Sequence, residues 1–365
     1  MENSSRARGA LYGLAVGDAL GMPTQLLSRQ EIRDRWGPLL RGFEPAPPGH
    51  PIAAGTPAGA VTDDTEQAVL LGRLLVKGDG AVAPRELAQA LIAWEHDMAE
   101  RGSLDLLGPS TKRAVAAVLA GTPPEEAGAY GDTNGAAMRI TPVGIAVNPV
   151  SLTTLVDHVV AASSVTHNTG IALAGAAAVA AAVSAGVSGA GIAEATALAI
   201  DAARIAAGRG HWVAGADVAA RIEWATSLVA GRPQAEAAEL IYTLVGTSLA
   251  TQESVPAAFA VLAAISHDPA ASHDPTASHD PAASHDPDPW QACLLAASLG
   301  GDCDTIAAMA GAIAGACSGV TAFPPEAIAV IDVQGLKLAA LADDLYALRG
   351  RLSPSPAPRR RERPR

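Results

Sequence analysis

A chain of 365 residues with 49% apolar content is long enough for one large domain or two modest ones, which excludes a disordered or fibrous protein. Its net charge of −12 and pI of about 5.2 exclude a broad electrostatic footprint for nucleic acid or for an anionic membrane. Aromatic residues make up only 3% while Ala and Gly abound, so the core must be built from small side chains that let backbones approach closely, and tightly packed helices are the natural solution.

The N-terminus, Met1-Glu2-Asn3-Ser4-Ser5-Arg6, runs into a Gly/Ala-rich stretch containing Asp18 and lacks the long apolar centre of a signal peptide. Residues 37–59 form a Pro/Gly loop. A helix over 64–76 then gathers Ala68, Leu71, Leu74 and Leu75 on one face and sets Asp63 and Asp64 at its start, where the helix dipole favours anions. The pattern predicts further helices over 84–100, 110–120, 152–163, 171–185, 192–207, 213–229, 234–244, 255–265, 290–299, 305–317 and 325–348, with a second loop over 121–135. No run alternates with period two, so the fold class is all-α with little or no sheet. The stretch 171–192 is nearly uncharged over the roughly 20 residues a bilayer needs, but it is rich in Ala and Gly rather than Leu, Ile and Phe, so it reads as a buried core helix.

Ser-His-Asp-Pro recurs at Ser266, Ser272, Ser278 and Ser284. Proline at that spacing keeps the four His-Asp pairs from converging on a metal, and 266–288 reads as a disordered low-complexity surface insert within one compact domain over 1–350. Residues 351–365 end in the basic run Pro358-Arg359-Arg360-Arg361-Glu362-Arg363-Pro364-Arg365 and read as a solvated tail. Cys293, Cys303 and Cys317 form no Cys-x-x-Cys pair and leave an odd thiol under any disulfide scheme, which fits a reducing cytoplasm.

Chemistry concentrates in two acidic turns. Val61-Thr62-Asp63-Asp64-Thr65 sets a hydroxyl and two carboxylates in succession at a loop-to-helix junction, and Gly300-Gly301-Asp302-Cys303-Asp304-Thr305 does the same near the other end of the chain. On the residues alone two readings stand. Asp and Thr are common helix caps; equally, four carboxylates that met without neutralisation would repel one another, and oxygen donors of this kind suit Mg²⁺ or Mn²⁺ rather than zinc. Gly131-Asp132-Thr133-Asn134-Gly135-Ala136-Ala137-Met138-Arg139 is a small-residue turn whose backbone N–H groups can take phosphate or ribose oxygens, although taken alone it reads as an ordinary tight turn. Ser164-Val165-Thr166-His167-Asn168, taken alone, reads as a cap ahead of a buried helix.

These four features, in this order and together with Gly9-Ala10-Leu11-Tyr12-Gly13-Leu14-Ala15-Val16-Gly17-Asp18-Ala19-Leu20-Gly21, make the chain resemble the ADP-ribosylglycohydrolase family, which includes the dinitrogenase reductase-activating glycohydrolase. The resemblance runs from Gly9 to Gly319, interrupted by the insert. It implies a compact all-α domain with a binuclear cleft, two Mg²⁺ or Mn²⁺ ions being held by Thr62, Asp63 and Asp64 from one side and by Asp302, Asp304 and Thr305 from the other. The loop around Asn134, Gly135, Ala136 and Met138, with His167 opposite, would line the ribose and diphosphate. The implied activity is hydrolysis of a ribosyl glycosidic bond in an ADP-ribosylated protein side chain or a small ADP-ribosyl compound, with water attacking the anomeric carbon and Asp63, Asp302 and Asp304 as the catalytic carboxylates.

The chain departs from its relatives at two positions. Gln25, on the substrate side, stands where many of them carry Glu, and an amide cannot act as a general acid or base. Cys303 replaces a usual Thr between two aspartates and is expected to point away from the metals. Gly108-Pro109-Ser110-Thr111-Lys112 and Met22-Pro23-Thr24-Gln25 look like a bacterial subgroup, for which a nucleoside-like substrate is an alternative. A catalytically silent ADP-ribose-binding relative is the other, and the six competent metal positions argue against it.

Overall fold

A computed structural model describes residues 2–102, 107–266 and 288–353. Among them there is no strand: the fold is all-helical, with two isolated bridges, Thr133 to Ala250 and Thr169 to His211. The insert lies outside the described residues except at its ends. Ser266 closes the helix Thr251–Ser266, and Asp288 caps the helix Pro289–Ala297 by accepting from Trp290 N at 2.9 Å. The tail beyond Ser353 is likewise outside them.

The Gly/Ala-rich N-terminus is itself a helix, Glu2–Gly21. Its glycines recur every fourth residue, Gly9, Gly13, Gly17 and Gly21, and therefore share one face. That face lies directly on the helix Cys303–Ser318. A Cβ at Gly9, Gly13 or Gly17 would overlap the carbonyls of Gly315, Gly311 and Ala307 respectively, and one at Gly21 would overlap the Asp304 Cα. Glycine here serves close approach, which outweighs its cost in helix propensity.

The helix Gly170–Val187 runs through the centre. It is long and apolar enough to cross a membrane, with mean hydropathy 2.0, yet 94% of it is buried inside the molecule, as expected of a core helix. One hydrophobic cluster takes residues from the N-terminal helix through to Leu348, and Ala supplies much of it.

Several boundaries differ from those the sequence predicts, among them the start of the helix predicted from 255, which lies at Thr251, and three others. The helix expected from 213 begins at Val218, where Asp217 caps it by accepting from Ala220 N at 2.8 Å. The helix expected over 234–244 ends at Leu240 and continues as a π turn, Ile241–Val245. The single helix expected over 325–348 is two, Pro325–Asp332 and Leu338–Leu352, because Gly335 (φ +74°) and Lys337 (φ +60°) turn the chain through the left-handed region.

Arg349 ties the C-terminal helix to the core. It is 6% exposed and donates to the carbonyls of Gly144 (3.1 Å), Ile145 (3.0 Å) and Val147 (2.7 Å) and to Ser184 O (2.9 Å), so one guanidinium neutralises the ends of Thr141–Ala146 and Gly170–Val187. Arg349→Met is expected to destabilise by roughly 3 kcal/mol, read as a lower urea midpoint. Gly13→Ala should cost about 3 kcal/mol through overpacking, whereas Gly42→Ala, whose added methyl meets open space, should stay within about 0.5 kcal/mol. Equal midpoints for these two glycine variants would refute the close-approach argument.

Candidate active site

Asp18, fully buried on the N-terminal helix, anchors the first acidic turn. Its carboxylate accepts from Thr62 N (3.1 and 3.0 Å), Thr65 N (3.1 Å) and the Thr65 hydroxyl. Burial pushes Asp18 up to about 6, against the pull of these three donors. The clamped turn opens the helix Asp63–Lys77, and Thr62 caps it by accepting from Asp64 N at 3.3 Å. The cap reading is therefore correct for Thr62, but it accounts for neither aspartate.

The second turn needs both its glycines. Gly300 and Gly301 have φ of +93° and +74°, and a Cβ on Gly301 would strike the Thr247 carbonyl. Asp302 stands at the N-cap of Cys303–Ser318, yet its side chain caps nothing and instead accepts from the Asn134 amide. Cys303 faces Thr24, with Sγ 3.2 Å from its hydroxyl, which turns it away from the carboxylates; burial first, then Asp304, pushes the thiol up to about 12.

Close packing of the N-terminal helix on Cys303–Ser318 brings the two turns together. Thr305 donates to Asp64 Oδ2 at 3.3 Å, and Thr62 Oγ1 donates to the same oxygen at 3.4 Å. Burial holds Asp64 well above the usual carboxylate range, and the charges of Asp304, Asp63, Asp18 and Asp302 add to it. Asp302 is also raised by burial, against hydrogen bonds from Asn134 and Thr305. Among the described residues no group of three or more Asp, Glu, His or Cys side chains forms a ready metal cage. The donor set nonetheless fits a hard cation: all its atoms are oxygens, the carboxylates repel one another, and Asp64 Oδ1 is buried with no hydrogen-bond partner.

The small-residue turn joins this cluster through Asn134, which sits 5% exposed and also donates to Ser254 Oγ at 3.0 Å. Gly135 packs against the His167 ring, where a Cβ would lie 2.9 Å from Cε1. Ala136 belongs to the hydrophobic core and Met138 is buried, so neither presents an exposed side chain. His167 is fully buried, and burial first, then the charges of Arg139 and Arg113, hold it neutral, well below its ordinary range.

Gln25 is 4% exposed and its amide nitrogen has no hydrogen-bond partner. His50 Nε2 donates to the Gln25 carbonyl at 2.8 Å, a tautomer fixed by Ala53 N and Ile52 N donating to Nδ1. The next residues, Leu26 and Leu27, pair with Gly301 in both directions, so Gln25 adjoins the second turn.

Two supports were not legible in the sequence. Asp18 lay in plain view but carried no signal of its own. The loop after the π turn bonds the two halves of the site through its backbone: Asp302 N donates to Thr247 O (2.7 Å) and Asn134 N donates to Leu249 O (3.0 Å). Backbone acceptors leave no residue signature.

Comparison with known proteins follows the same outline. A family model described as ADP-ribosylglycohydrolase matches residues 1–354. The uncharacterized protein YegU of Escherichia coli K12 is 34% identical over 334 residues, covering 90% of this chain and 92% of its own. The ADP-ribosyl-(dinitrogen reductase) glycohydrolase of Rhodospirillum rubrum is 30% identical over 172 residues, 45% of this chain and 51% of its own. A solved structure, an ADP-ribosylglycohydrolase-related protein complex, superposes with a TM-score of 0.61 at 22% identity, covering 95% of this chain and 99% of that one, and so shares the fold. With the family model spanning nearly the whole chain, this all-helical protein belongs to the ADP-ribosylglycohydrolase family, a family of hydrolases.

Proposed function

We propose that this protein hydrolyses the ribosyl glycosidic bond of an ADP-ribosylated protein side chain or a small ADP-ribosyl compound, and that it does so with two Mg²⁺ or Mn²⁺ ions. The observation that carries the reading is the junction of two acidic turns around Asp64, whose buried Oδ1 has no hydrogen-bond partner and whose carboxyl feels four other aspartates. Thr62, Asp63 and Asp64 would hold the cations from one side, and Asp302, Asp304 and Thr305 from the other. When bound, the cations neutralise this charge and act as Lewis acids toward ribose hydroxyls.

The chain's own residues have distinct tasks. Asn134 holds Asp302 through its amide and with Gly135 would form the wall against which the ribose lies, while His167, Ala136 and Met138 are buried and support that wall without reaching its surface. Water attacks the anomeric carbon, and Asp63, Asp302 or Asp304 takes its proton. The remaining carboxylates stabilise the oxocarbenium character that builds as the leaving group departs. Gln25 borders the site as an amide donor and supplies no proton to the leaving group. The reading places the reaction in the cytoplasm, where ADP-ribosylated proteins would be the substrates.

The test is incubation with Mg²⁺ or Mn²⁺ and a panel of ADP-ribosyl-arginine, ADP-ribosyl-serine, ADP-ribose and nucleosides. Release of ADP-ribose supports the proposal, and release of free ribose from nucleosides alone refutes it. Asp304→Asn is expected to lower turnover on the order of 100-fold and to weaken metal binding by calorimetry, with the helical circular dichroism unchanged; full turnover and unaltered stoichiometry would remove Asp304 from the site. Gln25→Glu would bury a carboxyl whose proton is held more tightly by burial and by nearby aspartates, so it should raise hydrolysis of the serine linkage more than of the arginine linkage. An unchanged ratio of the two rates across pH would show that position 25 has no acid role.

A further inference from the structure

Arg139 is 1% exposed, and the charge of Asp63 acts on its guanidinium. Its guanidinium divides between two neutral acceptors, Gln67 Oε1 at 3.2 Å and Thr166 Oγ1 at 2.5 Å. Along the first branch Gln67 donates onward to Asp63 Oδ2 at 2.9 Å, so an amide relays the buried cation to an opposite charge. Along the second, Thr166 Oγ1 lies 2.8 Å from His167 Nδ1, and His167 Nε2 lies 3.0 Å from Thr133 Oγ1. The series starts in the core and ends on half-buried Thr133, one residue before Asn134.

A guanidinium has donors and no acceptor. Thr166 Oγ1 can therefore only accept from Arg139, and its own proton has two places to go: His167 Nδ1 at 2.8 Å, or the Ser163 carbonyl at 3.4 Å. The first distance is ordinary for a hydroxyl donor and the second is at the edge of bonding. A proton on Nδ1 would also point at a hydroxyl already polarised by the cation behind it. His167 is neutral and carries one proton, which these constraints assign to Nε2, aimed at Thr133 Oγ1. Having accepted there, the Thr133 hydroxyl has its own proton left to give.

We propose that Arg139, through Thr166 and His167, fixes the Thr133 hydroxyl as a hydrogen-bond donor toward an acceptor oxygen of the substrate, a phosphoryl or ribose oxygen. Thr133 is then a specificity-determining residue and Arg139 a positioning residue. With its proton directed outward, the Thr133 hydroxyl is fully paired by an acceptor oxygen, whereas a group that only donates, such as a guanidinium or an ammonium, leaves that proton unpaired, which favours the ADP-ribosyl part over a basic leaving group at this point. The assignment of the oxygen to an ADP-ribosyl compound rests on the function proposed above, whereas the direction of the hydrogen bonds does not.

Two measurements separate these parts. Long-range proton–nitrogen correlation on the ligand-free protein, with the His167 signals identified by their loss in His167→Gln, is expected to show the Nε2–H tautomer; the Nδ1–H tautomer overturns the proposal. Arg139→Met should release this constraint and populate both tautomers, a change that a purely space-filling role would not produce. Calorimetric titration with ADP-ribose should give Thr133→Ser within about twofold of the natural protein and Thr133→Val about tenfold weaker, and Thr133→Val binding as the natural protein does overturns the donor role. A parallel titration with ADP, which keeps both phosphates and lacks the terminal ribose, distinguishes the oxygen: loss with both ligands indicates a phosphoryl oxygen, loss confined to ADP-ribose an oxygen of the terminal ribose. If the natural protein fails to bind ADP-ribose, the proposed function fails, while the tautomer still decides the direction of the series. If Arg139→Met does not fold, the natural tautomer and the Thr133 pair still decide.

Discussion

Two helix backbones in direct contact set the geometry on which the site depends. At Gly9, Gly13 and Gly17 of Glu2–Gly21 the backbone meets carbonyls of Cys303–Ser318 with no room for a Cβ. The contact ends at Gly21 on Asp304, so the packing stripe and the acidic cluster are continuous. Asp18 lies on the same helix and holds the Thr62–Thr65 turn by its backbone. Any spacer between the two helices would carry Asp18, and with it Asp63 and Asp64, away from Asp302 and Asp304. The small-residue composition of this protein is thus a requirement of its site as well as of its core.

Charge is handled by opposite means on the two sides of the site. On the acidic side, burial raises Asp64 and Asp302, neighbouring aspartates raise Asp64 further, and hydrogen bonds from Asn134, Thr62 and Thr305 offset part of that cost. On the other side a buried cation, Arg139, feels the charge of Asp63 and is bonded to it through the amide of Gln67. The same cation helps keep His167 neutral. Asp63 belongs to both networks and so links the cluster to the small-residue turn a second time, beside the Asn134–Asp302 bond.

Much of this was legible in the sequence, for identifiable reasons. The helices over 84–100 and 192–207 announce themselves by periodicity, and the acidic turns by three oxygen-bearing residues where a cap needs one. The N-terminal helix escapes a reading of the sequence, because glycines at four successive turns resemble breakers unless their shared face has a partner, and that partner is near the other end of the chain. Lys337 breaks the last helix in a conformation that no residue type declares. Arg349 and the Thr247 and Leu249 carbonyls act through contacts far apart in sequence or through the backbone, and neither leaves a local pattern. Only family resemblance groups Asn134, Gly135 and His167; their residue types alone point to a turn and a cap.

The alanine-rich centre has a consequence for how the protein can vary. In cores built of Leu and Phe, the common injury is truncation, which leaves a cavity. Along Gly170–Val187, with Leu173 the bulkiest of its buried side chains, there is little left to truncate. Harm here comes from enlargement, and a single added methylene has no void to enter. Mutational drift is therefore confined to exchanges among Gly, Ala and Ser in the centre, while the outer faces are free to change. Relatives should diverge in sequence chiefly from the surface inward, and a core methyl gained on one helix should be matched by a methyl lost on its neighbour.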